Sequence, residues 1–143
     1  MIKDNLFKWT SLATVLLANV FAIYLIYLIW PREVLEIKVQ PYPILQKEIR
    51  AGENIVYHTS RCKYYSITPT VSRIFIYDNG QVVNLSSNTA GRPLGCYDED
   101  MILPTFKSMP VGCGYVEINS KFQVNVLQTV EYSTKTEKIC IIK

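Results

Sequence analysis

Histidine occurs once in these 143 residues, no two cysteines have the C-x-x-C spacing, and no run of basic residues appears. Each absence removes a class of function. An imidazole-based metal or catalytic site needs partners at spacings such as H-x-x-x-H, so His58 alone reads as an ordinary surface or rim residue. Thiol redox chemistry needs closely spaced reactive thiols. With six glycines in all, there is no phosphate-cradling loop, and Gly112-Cys113-Gly114 suits a tight turn. No G-x-S-x-G and no nucleophile–base pair can be assembled. The formal charge of +3 is dispersed: Arg61, Lys63 and Arg73 are scattered among extended segments, unlike a nucleic-acid-binding stripe. Asp98-Glu99-Asp100 is the one acidic cluster. On a strand its carboxylates alternate faces, which suggests a solvated patch and not a calcium loop. The expectation is a non-enzyme with no catalytic residue, no cofactor, no metal and no nucleic-acid partner.

What is present begins with nineteen consecutive uncharged residues, 12–30, reading LATVLLANVFAIYLIYLIW. As a helix they extend roughly 28 Å, near the thickness of a bilayer's hydrocarbon core. Trp9, just before the run, and Trp30, its last residue, mark its edges with rings suited to the membrane–water interface. A cleavable signal peptide is the competing reading, since Lys3 and Lys8 precede the run. However, its end is bulky (Tyr27, Leu28, Ile29, Trp30) where a cleavage site needs small residues. The expected organisation is a cytoplasmic tail over 1–11, a transmembrane helix over 12–30 and an extracytoplasmic domain over 31–143. Lys and Arg near the two helix ends balance. The α-amine and four cysteines, which favour an oxidising compartment, place the N-terminus inside and the domain outside the cytoplasmic membrane. Within the span, Asn19 with Ala18 and Ala22 offers a polar group and a small-residue face for helix self-association. The plainer reading is one tolerated amide.

Beyond the span, alternation of apolar and polar residues marks short strands. Over 33–39, Leu35, Ile37 and Val39 share one face and Glu36 and Lys38 the other. Further strands are expected over 53–65, 71–77, 81–85, 94–103, 115–124 and 129–142. Asp78-Asn79-Gly80 signals a hairpin, because Asn-Gly accepts positive φ. The Pro-containing segment 40–52 reads as a stalk or loop, and 86–93 as a polar loop. Seven short strands in about 113 residues imply an all-β, two-sheet antiparallel sandwich. The sequon Asn84-Leu85-Ser86 matters only in a eukaryotic host.

This layout resembles immunoglobulin-like and fibronectin-like sandwiches, with strands A, B, C, C′, E, F and G. Pro110-Val111-Gly112-Cys113-Gly114-Tyr115 is similar to the turn into strand F, where the resemblance implies a tyrosine corner at Tyr115. The buried Trp of strand C is missing, and Phe75 or Ile74 stands in its place. The tail, anchor and cysteine-bearing sandwich together are also similar to small bacteriophage-encoded membrane proteins.

Four cysteines allow three pairings. A turn near residues 125–128 sets Cys113 opposite Cys140. The resemblance implies that strands B and E adjoin, which sets Cys62 beside Cys96. The alternative, Cys62 with Cys113, imitates the intersheet bridge of antibody domains. Eight tyrosines in the outer domain suit either contact surfaces or ordinary strands. The function expected is a membrane-anchored sandwich that contacts another envelope protein. The alternative is a lysis or exclusion factor whose helix self-associates and whose outer domain regulates it.

Overall fold

The computed structural model describes residues 2–89 and 91–143, and of residues 2–8 and 10 the backbone alone. The expected charge balance at the N-terminus, which rests on Lys3, Asp4 and Lys8, therefore lies outside the described side chains. The chain divides into two units: Met1–Arg32 with Asn125–Gln128, and Glu33–Val124 with Thr129–Lys143.

In the first unit one helix, α1, runs Ile2–Ile29. Helical structure thus includes the expected tail, which has no breaker to stop it, and Trp30 falls just past the helix end. The segment long and apolar enough to cross a membrane is Ser11–Ile29, one residue earlier at each end than expected. Its last carbonyls lack helical partners, as at any helix end. Asn125 Nδ2 donates to the Leu28 carbonyl at 2.9 Å, and Gln128 Nε2 to that of Trp30 at 3.2 Å.

The second unit is mostly strand, in two sheets. The strands are β1 Leu35–Ile37, β2 Glu48–Arg50, β3 Asn54–Lys63, β4 Thr70–Tyr77, β5 Val82–Thr89, β6 Gly95–Pro104, β7 Gly112–Gln123, β8 Thr129–Lys135 and β9 Ile139–Ile142. One sheet has the order β1-β3-β6; the other has β2-β9-β7-β4-β5, with β8 also paired to β7. The two-sheet arrangement is compatible with a sandwich. Alternation supplies the core between the sheets: Ile55, Tyr57 and Leu103 from one pack with Phe75, Val116, Ile118 and Ile141 from the other. A second cluster of Val34, Leu35 and Phe122 is tied down by Tyr132, whose hydroxyl accepts from the Val34 and Leu35 amides.

Several expectations are corrected. Nine strands stand among the described residues, not seven, and they are not all antiparallel, because β2 runs parallel to β9. The segment 40–52 is not a stalk but a largely irregular connection packed onto the sheets. It buries Tyr42, Ile44 and Ile49, bridges to Thr136 and Tyr57, and contributes β2. A three-residue strand is too short for periodicity to reveal. The expected strand 129–142 is two strands. Gly114 pairs with Ile139 and Glu117 with Lys135, so Tyr115 and Val116 lie opposite Thr136, Glu137 and Lys138. That extra residue breaks the ladder as a bulge does. The expected loop 86–93 begins as strand, since β5 continues to Thr89.

Of the expected strand 33–39 only Leu35–Ile37 is strand; Val39, past its end, is 37% exposed, while Val34, just before it, is fully buried. The hairpin turn uses a single positive φ, at Gly80 (84°). Tyr77 pairs with Gln81 across three loop residues, a geometry that needs only one left-handed position. The tyrosine that pins the turn into β7 is Tyr77, donating to the Pro110 carbonyl at 2.8 Å, and not Tyr115. Tyr115 points to the other face, with Lys135 Nζ 4.9 Å from its ring centre. Of the two stand-ins for the missing Trp, Phe75 is fully buried and Ile74 half-buried.

Candidate functional site

The four cysteines sit at directly opposed ladder positions. Cys62 on β3 faces and bonds to Cys96 on β6, and Cys113 on β7 faces and bonds to Cys140 on β9. Each bridge lies within one sheet. On α1, Asn19 Nδ2 donates 2.8 Å to the Val15 carbonyl one turn earlier, so its amide is engaged by its own helix. Ala18, Ala22 and Trp9 are exposed along the same helix, and Trp30 is exposed just past its end.

Two groups that look unrelated in sequence meet on the outer face of the three-stranded sheet. His58 Nδ1 lies 2.8 Å from Asp100 Oδ1 and His58 Nε2 2.7 Å from Asp98 Oδ1. Hydrogen bonds to Asp100 first and Asp98 second raise the imidazole pKa above its ordinary value. One carboxylate at each ring nitrogen holds the imidazole edge-on, and the two do not converge on a metal-sized point. Among the described residues no group of three His, Cys, Asp or Glu is placed to hold a metal ion.

The third residue of the acidic triplet, Glu99, points to the opposite face, as alternation requires. There it pairs with two arginines that line an opening of about 150 Å³ between the two sheets. Four cations line it: Arg61 and Lys63 from β3, Arg73 from β4, and Arg92 from the segment after β5. Lys63 and Arg73 are more than nine-tenths buried. Their partners are neutral: Lys63 Nζ donates to the Arg92 carbonyl at 2.7 Å, and Arg73 to Asn88 Oδ1 at 2.9 Å and Ser86 Oγ at 3.3 Å. Glu99 lies 3.0 Å from Arg92 and 3.9 Å from Arg61. Among the described residues no carboxylate forms an ion pair with Lys63 or Arg73. Burial, and next the nearby Arg61, lower the Lys63 pKa. Leu35, Val71, Met101 and Phe122 form the apolar wall.

Sequence reading missed this cluster because it scored the three cations only by their spacing along the chain. The usable signal was parity. Arg61 and Lys63 fall on the same face of β3 as Ile55 and Tyr57, and Arg73 falls between Val71 and Phe75 on the buried face of β4.

No protein-family model matches the chain, and no curated protein matches its sequence. Among solved structures it is similar to Spo0M, a sporulation control protein from Bacillus subtilis, at 11% identity and a TM-score of 0.38. That likeness covers 78% of this chain and 51% of the other, so the chain spans about half the length of that structure. So weak a likeness assigns neither fold family nor function.

Proposed function

We propose that this protein is a non-enzymatic, single-pass membrane protein whose Ig-like β-sandwich engages another protein at the cell envelope. In this reading α1 crosses the cytoplasmic membrane with its N-terminus inside, and the disulfide-bonded domain stands outside, in a bacterial or phage-encoded setting. The sheet orders are compatible with strands A, B and E packed against A′, G, F, C and C′. The oxidising side suits two disulfides.

The observation that carries the reading is the free edge of β5. Proteins protect sheet edges with charge, proline, shortness or a bulge. β6 carries Asp98, Glu99 and Asp100, β8 carries Glu131 and Lys135, and β1 and β2 are three residues long. β5 ends its sheet with eight residues, VVNLSSNT, without a charge or a proline. Its one such device is the bulge that leaves Leu85 unpaired with β4, and the stretches on either side of it stay uncharged. Such an edge accepts an added strand, whose backbone bonds supply affinity.

A photocrosslinking residue at Asn84, in the full chain in intact cells, is expected to capture a discrete protein, and Ser87→Lys to abolish the capture. Absence of an adduct, or one indifferent to the lysine, defeats the reading. If α1 expressed by itself depolarises the membrane, the self-associating lysis or exclusion factor replaces it.

A further inference from the structure

The geometry points to the opening between the sheets as a binding site for the oxyanion group of a small amphiphile, a phosphate or carboxylate carried on an apolar body. The site goes beyond partner capture at the edge of β5: it shares Asn88 with that strand but is tested at Arg73 and Lys63, away from Asn84 and Ser87.

Charge is the first argument. Taking an ion out of water is costly even after relaxation, so buried cations are normally met by carboxylates. Here four cations line the opening, and the one carboxylate placed beside any of them among the described residues, Glu99, is engaged by Arg92 and Arg61. Lys63 and Arg73, the two most buried, have only neutral oxygens as partners. A core built for stability alone would carry apolar residues at 63 and 73, whose neighbours two positions along the same faces include Val71 and Phe75.

Donor geometry is the second. A guanidinium presents a planar fork that matches an oxyanion through two parallel bonds, and an ammonium adds a point charge. Arg61, Lys63 and Arg73 reach the space from neighbouring positions on two sheets, and Arg92 closes it from a loop. Ser120 and Asn88 line it as neutral polar groups.

Size and lining decide the rest of the ligand. An opening of about 150 Å³ has room for a group of benzene size, more than a bare oxyanion fills. Leu35, Pro69, Val71, Met101 and Phe122 supply an apolar surface for the remainder. A mostly apolar pocket with a few convergent polar groups is the usual form of a small-molecule site.

The test uses the full chain in neutral-detergent micelles, with hexyl phosphate as probe and hexanol and inorganic phosphate as controls. Calorimetric titration and thermal melting are both read. Hexyl phosphate is expected to bind and raise Tm, hexanol to do neither, and inorganic phosphate to bind at least about tenfold more weakly. Arg73→Gln and Lys63→Met are each expected to weaken hexyl phosphate by about tenfold or more, the loss of one charge-assisted bond. Without ligand, Lys63→Met is expected to melt no lower than the parent, because it removes an uncompensated buried charge. Repeating the hexyl phosphate titration in phosphatidylcholine vesicles, with and without phosphatidic acid, separates a lipid headgroup from a free solute as the source of the oxyanion. Competition identifies a lipid headgroup, and unchanged affinity identifies a free solute. The proposal is overturned by absence of binding, by affinity unchanged in both variants, by hexanol or inorganic phosphate binding as well as hexyl phosphate, or by a lower Tm for unliganded Lys63→Met.

Discussion

His58 and Asp100 stand directly opposite each other across the β3–β6 ladder, with Nδ1 2.8 Å from Oδ1. Asp98, two residues earlier on the same face, takes the other ring nitrogen. The imidazolium is therefore favoured in the folded chain, and its pKa is raised. A group with a raised folded pKa contributes stability that is complete below the unfolded value, about 6.5, and is lost as pH rises through the folded value. An NMR titration of His58 should place its midpoint above that of a free histidine. Asp100→Asn should lower the midpoint more than Asp98→Asn. A midpoint unmoved by both substitutions would remove the carboxylates as the cause.

The bridges are expected to be separable. Non-reducing peptide mapping should recover a peptide joining Cys62 to Cys96 and another joining Cys113 to Cys140. Replacing Cys113 and Cys140 together by serine should cost about 3–4 kcal/mol in the chain-entropy account for a loop of this length. Denaturant unfolding of the variant measures that loss. Recovery of a Cys62–Cys113 peptide would refute the register of β7 against β9.

Gly114 is held by contact. A Cβ there would sit 2.2 Å from the Ile76 carbonyl oxygen and 2.7 Å from a ring carbon of Phe75. Neither atom can yield, since one is backbone in the β4–β7 ladder and the other belongs to a fully buried ring. Gly114→Ala should destabilise by at least about 1–3 kcal/mol, the usual range for an overpacked core. Gly80→Ala supplies the contrast, because its added Cβ meets nothing within 4 Å and only its positive φ opposes the change. Thermal melting should rank the two, and equal losses would show that the close approach is relieved.

The apolar span is expected to act as the anchor. Arginine at both Leu17 and Ile23 should expel the segment, at about 2.5–3.5 kcal/mol for each mid-helix charge on insertion scales. Extraction by alkaline carbonate reads this directly. A doubly substituted protein that stays with the membrane would mean that something else holds it there.

Topology gives an independent check. Alkaline phosphatase fused after Lys143 should be active, and a reporter that works only in the cytoplasm should be silent at the same position. The opposite pair of results would put the disulfide-bonded domain on the reducing side.

Much of the architecture was readable along the chain because it is written in local periods. Nineteen residues without charge specify a long apolar helix whatever surrounds it. Alternation in 115–124 specified which face of β7 is buried, and Val116, Ile118 and Phe122 are indeed inside. Elements with no internal period were not readable. β2 is three residues long and exists because Ile49 is buried while Glu48 and Arg50 pair with β9. The division of β8 from β9 depends on how Thr136, Glu137 and Lys138 lie opposite a shorter stretch of β7, which is a property of the pair of strands.

The sequence by itself therefore determined an apolar helical segment, a β-rich remainder, and the alternation that divides each strand into a buried and an exposed face, since these follow from neighbours two to four residues apart. Only the tertiary structure decided what those faces meet. It brought His58 between Asp98 and Asp100, which are forty or more residues away along the chain. It also gathered Arg61, Lys63, Arg73 and Arg92 around one opening, turning dispersed charge into a concentrated site. The physical reason is that Coulomb interactions depend on distance through space and on burial, neither of which a linear spacing records.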